Sequence, residues 1–411
     1  MSLRSVTSPK SLPPKEKLLN RGMITILNAQ FFSAFADNVL FFALLEILQQ
    51  GLYGKESTYI LQGTFALFYI LLAPIVGYIA DHIAKSQVLM VGNGIKLLGV
   101  LLLFLEINPF ICYAIVGFGA AVYSPAKFGV LSEFVSEKLL IKANGLIEAS
   151  TIIAILSGAA LGGLLAELNL YYAVALTIVT YIVAAIFNYY MPKIAPKIGP
   201  SLKPQLIVRQ FMLAFLRLFR DQKARFAIIG TSLFWAGVAT LKLLLNDWVR
   251  DVLGEGTEMV SQMSVVVGLG VIIGAAFAAM VIKPERTRIS LWAGIGMSLT
   301  IVLFVLQNNL YLTYITLLLI GAFGGCFMIP LNALLQTRGG LFQSVGSAIA
   351  IQNLIENIFM LSSIAIFGLL TSFGFFSVLT LMIIFGGLFL VAIIALFYEA
   401  YRHQIFAQEI T

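Results

Sequence analysis

Histidine is almost missing from this chain, with His82 and His403 the two examples in 411 residues. Neither opens a His-x4-Asp pattern, and no aspartate-rich metal motif or nucleophile elbow occurs. The usual chemistry of lipid-modifying membrane enzymes therefore has no residues to carry it. Cysteine is as scarce: Cys112 and Cys326 both lie in apolar stretches, which excludes a disulfide framework. No cofactor and no metal site are expected. Charge is thin, since 11% of residues are Asp, Glu, Lys or Arg, against about 25% in ordinary soluble domains. The net charge of +7 forms no clustered soluble face of the kind nucleic acid needs. The opening MSLRSVTSPKSLPPKEKLLNRG is polar and basic without a cleavable signal pattern.

Apolar sequence fills the space instead. Hydrophobic residues make up 60% of the chain and 35 residues are glycine, a mix suited to closely packed membrane helices. About twelve segments reach the ~20 residues a helix needs to cross a bilayer. The expected fold is an all-α membrane protein of twelve transmembrane helices in two pseudo-symmetric six-helix bundles. Residues 1–21 read as a cytoplasmic tail, 22–191 as the first bundle, 192–224 as a cytoplasmic linker, 225–398 as the second bundle and 399–411 as a second tail. With both termini inside, the inner segments collect Arg21, Lys85, Lys138, Lys142, Lys193, Arg225, Arg288, Arg338 and Arg402, while the outer loops keep Lys55 and Arg250. That is the positive-inside asymmetry. In the linker, Leu206, Phe211, Phe215, Leu218 and Phe219 can share one helical face, leaving Arg209, Arg217 and Arg220 to lipid phosphates. An unstructured tether is the alternative there.

Two related stretches organise the rest. In Ala120–Thr151, Lys127 follows Pro125 and Glu148 lies on the return segment at matched depth, which suggests a buried pair or a shared polar cavity. The pattern returns partially in Gly324–Glu356. Pro330 answers Pro125, Asn353 and Glu356 answer Asn144 and Glu148, and Asn332 stands where Lys127 would be. Two similar halves, each with a carboxylate inside a hydrophobic helix, read as a transporter. Tyr123, beside Pro125, joins these residues as a candidate substrate contact.

The link between the second and third spans reads Gly77-Tyr-Ile-Ala-Asp81-His-Ile-Ala-Lys85. It resembles the signature loop of the major facilitator superfamily, whose aspartate caps and pairs with neighbouring helix ends and helps latch the inner side closed. Gly77, Asp81 and Lys85 are its matching positions; His82 and Ala84 depart from the fuller pattern. The counterpart near Ile282–Arg288 has lost the acidic position of the pattern. The implied mechanism is alternating access.

Asp37 lies about 22 Å into the first span. Gln30 and Ser33 share its helical face and Asn38 sits beside it. A charge at this depth costs at least about 2.5–3.5 kcal/mol and needs a partner or a wet cavity. A substrate or coupling-ion site and a structural ion pair both fit. First and seventh spans commonly face each other in the superfamily, so Lys242 could meet Asp37 as an outer gate, or it could snorkel toward Asp247. Lys96, after Asn93, suits helix packing as well as ligand contact.

The words SAFADN, YSPAKFG, KANGLIEAST, GTSLFW and PLNALLQ together resemble the bacterial lysophospholipid transporters of that superfamily, from about Leu27 to the last span. The resemblance implies uptake of lysophosphatidylethanolamine and lysophosphatidylglycerol from the outer to the inner leaflet of the bacterial inner membrane. It implies bilayer lipids and a cytoplasmic acyl-carrier-protein-dependent acyltransferase as functional partners, and a monomer. Lys242 occupies a place where arginine is expected in relatives; the charge survives but a bidentate phosphate grip does not. The nearest rival is a proton-coupled transporter of a soluble solute or drug, followed by a membrane enzyme of lipid metabolism.

Overall fold

The computed structural model describes residues 17–50, 57–105, 107–196, 204–255, 257–283, 287–306, 309–342, 344–403 and 405. The tail before residue 17, linker residues 197–203, Lys55 and the chain from 406 onward lie outside them. Among the described residues there is no strand. Before the linker come α1 (Arg21–Gln50), α2 (Ser57–Leu71), α3 (Ala73–His82), α4 (Lys85–Leu101), α5 (Pro109–Phe134), α6 (Leu140–Leu168) and α7 (Leu170–Tyr190). The linker helix α8 (Pro204–Arg220) leads to α9 (Gln222–Trp248), α10 (Thr257–Val281), α11 (Ile289–Leu306), α12 (Leu310–Leu341), α13 (Val345–Ser372) and α14 (Val378–Arg402).

Helix is what these apolar runs dictate, because hydrocarbon offers no partner to a backbone N–H or C=O. Ten described helices are long and apolar enough to cross a bilayer, eleven if the bent α2–α3 pair counts as one span. That pair, expected as a single run over 59–80, bends by 59°. Pro74, at the start of α3, lacks the N–H that would bond the preceding turn. The remaining expected span is α4, 17 residues long and continued by a 3-10 turn over Leu102–Leu105. Asn108, Asn169, Asn309 and Ser377 cap α5, α7, α12 and α14, each accepting a backbone N–H of its first turn.

Arg21, Lys85, Lys138, Arg225, Arg338 and Arg402 gather where both described termini lie, called here the basic end. Before α8, α1 packs on α6 and α7, and α4 on α5 and α7. After it, α10 lies along α12, α9 along α13, and α11 against α12 and α14. Gly270 and Gly274 of α10 face Gly321 and Gly325 of α12 so closely that a side-chain carbon on Gly274 would strike the Ala322 carbonyl, the backbone contact small residues permit in membranes. The two groups meet through α3 and α5 with α13, and through α6 with α10 and α12. Helix α8 rests on α3, α9 and α13. It buries Phe211, Ala214 and Leu218 and exposes Arg209, Arg217 and Arg220.

Candidate functional site

Asp37 is not paired with Lys242. Its Oδ2 accepts a hydrogen bond from Lys96 Nζ at 2.7 Å and its Oδ1 one from Tyr181 at 2.6 Å. Lys96 also donates to Ser33 Oγ at 3.1 Å, and Ser33 donates to Asn93 Oδ1 at 2.7 Å. The ammonium lies 5.2 Å from the Tyr123 ring and 5.8 Å from the Tyr181 ring, within cation–π range. Helices α1, α4 and α7 are thus tied by one polar cluster inside the first bundle. Gln30 stands apart, donating to Thr151 of α6 at 2.9 Å. Asn38 turns back to the Ala34 carbonyl of its own helix. The Tyr123 hydroxyl is buried without a hydrogen-bond partner among the described residues.

Lys242 is exposed and has no ion-pair partner among the described residues. Asp247 pairs instead with Arg250 at 3.2 Å, so the snorkelling pair does not form either. Lys242 follows Trp235 by two helical turns on the same face of α9, about 10 Å farther from the basic end.

Between the two bundles lies a cavity of about 370 Å3, room for several waters at ~30 Å3 each. Lys127 and Glu148 line it from α5 and α6, and Asn332, Asn353 and Glu356 from α12 and α13. Gln352 organises the opposite wall. Its Nε2 lies 2.6 Å from Asn332 Oδ1, 2.8 Å from Glu356 Oε1 and 3.1 Å from Thr231 Oγ1. Asn353 crosses the divide to donate to Ser124 of α5 at 2.9 Å. Asn144, expected beside Glu148 in this site, instead exchanges two hydrogen bonds with Gln336 of α12, at 2.9 and 2.8 Å.

At the basic end Asp81 spans the bundles. Its Oδ1 accepts the Gly346 N–H at 2.7 Å, and its Oδ2 accepts the Ser347 N–H at 2.9 Å and hydroxyl at 2.7 Å. A carboxylate thereby caps the start of α13, where orphan N–H groups and the helix dipole favour negative charge. Gly77 matters because a side-chain carbon there would lie 2.9 Å from Ala350 Cβ and 3.0 Å from Ser347 Cα. Lys85 bonds Glu133 at 2.6 Å. Nearby, Asp221 caps α9 through the Ala224 N–H and pairs with Arg338. Partial burial pushes the Asp221 carboxyl up, but the Arg338 hydrogen bond and the Ala224 N–H outweigh it and hold the carboxyl below its ordinary range.

A family model described as Major Facilitator Superfamily matches residues 26–358. The chain belongs to the major facilitator superfamily. It is 45% identical over 361 residues to the "Lysophospholipid transporter LplT" of Serratia proteamaculans, covering 87% of this chain and 91% of that one. The protein of the same name from Yersinia enterocolitica is 44% identical over 359 residues, with 87% and 89% covered. Among solved structures, the human organic anion transporter MFSD10 (TETRAN) superposes with a TM-score of 0.74 at 14% identity, covering 94% of this chain and all of that one. The transporter FucP in its outward conformation gives 0.73 at 13%, covering 92% and 98%. At those identities the superpositions speak for the superfamily fold alone.

Sequence reasoning missed Tyr181, Gln336, Ser347 and Gln352 as polar members of this superfamily scaffold. The signal for Gln336 was present in PLNALLQ, and that for Gln352 in the turn before Glu356. Tyr181 gave none, being one aromatic residue in an apolar helix.

Proposed function

We propose that the chain is a lysophospholipid importer. It carries lysophosphatidylethanolamine and lysophosphatidylglycerol from the outer to the inner leaflet of a bacterial inner membrane, with both termini cytoplasmic. The observation that carries this reading is the 43–45% identity, over 87% of the chain, to proteins named lysophospholipid transporter. The geometry suits it. A phosphate-bearing head needs a polar interior path, and the cavity offers Lys127 among carboxylates and amides, with Lys242 toward the far mouth. The single acyl chain can remain among apolar side chains or in the bilayer. Division into a first bundle (22–191), a linker (192–224) and a second bundle (225–398) belongs to the same proposal. So do monomeric action and supply of substrate to a cytoplasmic-side acyl-carrier-protein-dependent acyltransferase.

The mechanism is alternating access. With Asp81 seated on α13 and Asn144 clasped to Gln336, the basic end is closed and the cavity is offered to the far side. Import requires release of both contacts as the bundles rock. Asp37 and Lys96 stay together within the first bundle and set the position of α4 and α7 relative to α1. The test is uptake of labelled lysophosphatidylethanolamine by cells lacking their own importer, comparing wild type with Lys127→Ala and Lys242→Ala at matched membrane abundance. Uptake by wild type that both substitutions reduce supports the proposal. Well-expressed wild type that moves no lysolipid refutes it and favours a soluble solute.

A further inference from the structure

We propose that α8 is a docking surface for anionic phospholipids of the leaflet at the basic end, and that their binding holds that end closed. The helix has three unlike sides. Phe211, Ala214 and Leu218 are buried against the protein. Val208, Met212 and Leu216 follow one another at four-residue spacing along one flank, 57%, 52% and 44% exposed. Arg209, Arg217 and Arg220 occupy the remaining side, all exposed. No acidic residue occurs from Pro204 to Arg220, and none of the three arginines has an ion-pair partner among the described residues. A soluble acid would answer the arginines and leave the apolar flank in water. An anionic lipid answers both, with its phosphate on the guanidiniums and its acyl region on the flank.

What lies beneath α8 connects this surface to the gate. The helix packs on α3 before the linker and on α9 and α13 after it. Helices α3 and α13 are the two that Asp81 joins, through Gly346 and Ser347. The end of α8 is tied to the second group of helices: the Phe219 carbonyl accepts Arg225 Nη1 at 3.1 Å, and Arg225 pairs with Glu399 of α14. Separating α3 from α13 therefore takes away part of the floor on which α8 lies. A ligand moves such an equilibrium only by binding one state better. Arg209 to Arg220 spans about 16 Å of helix, so headgroups engage all three arginines together while both floors support it. The lipid-bound state is the closed one.

The experiment uses the full chain in nanodiscs of phosphatidylcholine with and without phosphatidylglycerol. Spin labels replace the exposed Glu137 and Leu341, which face each other across the basic end, with Cys112 and Cys326 changed to alanine. Phosphatidylglycerol should raise the short-distance, closed population severalfold. The triple variant Arg209→Gln/Arg217→Gln/Arg220→Gln should lose that response. It should also bind labelled phosphatidylglycerol about a hundredfold more weakly, about fivefold for each charge removed. Lysine at the same three positions should keep most of both effects, which separates lost charge from lost folding. An equal rise in the glutamine variant overturns the proposal by placing the lipid elsewhere. Equal lipid binding by the glutamine variant and the parent overturns the docking surface. A parent that binds the lipid without closing overturns the control of the gate. None of these readouts uses a lysolipid, so the result is independent of the substrate proposed above.

Discussion

Removing the charge of Asp37 should disturb the first bundle through Lys96. The pair is close, 2.7 Å, and enclosed, with side-chain exposures of 20% for Asp37 and 3% for Lys96. Asp37→Asn leaves an ammonium buried beside Ser33 and two aromatic rings; Lys96→Met leaves a carboxylate with only Tyr181. Breaking a buried pair from one side costs about 3–5 kcal/mol, whereas replacing both partners can be neutral. Partial exposure of Asp37 puts the singles near the lower end. The double variant Asp37→Asn/Lys96→Met should therefore be more stable than either single, with a coupling energy of about 2–3 kcal/mol. The assay is thermal unfolding of the four proteins in one detergent, followed by lysolipid uptake. Additive losses would show that the two charges do not depend on each other. Full stability of both singles would show that the cluster is wetter than its geometry implies.

Three further outcomes follow from the same contacts. Asp81→Asn should weaken three hydrogen bonds to α13, each worth about 1.5–3 kcal/mol while the acceptor is charged, and open the basic end; alkylation of a cysteine placed at Asn353 from that side should rise at least tenfold, and no rise would remove Asp81 from the latch. Asn144→Ala should cost about 1–3 kcal/mol by orphaning the buried Gln336 amide, while exchanging the two residues for each other should restore most of it; equal melting of all three proteins would contradict the clasp. Asp221 has a lowered carboxyl pKa in the folded chain, so its stabilising contribution is complete above the ordinary aspartate value of about 4 and fades as pH falls through the lowered one. Asp221→Asn should therefore lower the melting temperature at neutral pH and flatten its decline in acid, and parallel melting curves across that window would refute the pairing with Arg338.

Much of this protein could be read before any coordinate was seen. Apolar runs of bilayer length force helices because the backbone must bond within itself. The Gly77–Asp81–Lys85 spacing and the words from SAFADN to PLNALLQ pointed to the family that the comparisons support. The depth of Asp37, Lys127, Glu148 and Glu356 marked them as interior charges. The sequence could not choose their partners. It left Lys242 between Asp37, on the general expectation that first and seventh spans face each other, and Asp247. The placement of α4 and α7 instead brings Lys96 and Tyr181 to Asp37 and leaves Lys242 with no ion-pair partner among the described residues. It placed Asn144 in the cavity with Glu148, whereas α12 presents Gln336 to it. Helical periodicity fixes which residues share a face; only packing fixes what that face meets. Side-chain charges act over a few ångströms, and in a bundle those ångströms are set by helix rotation and bending, such as the turn at Pro74, which no single segment encodes.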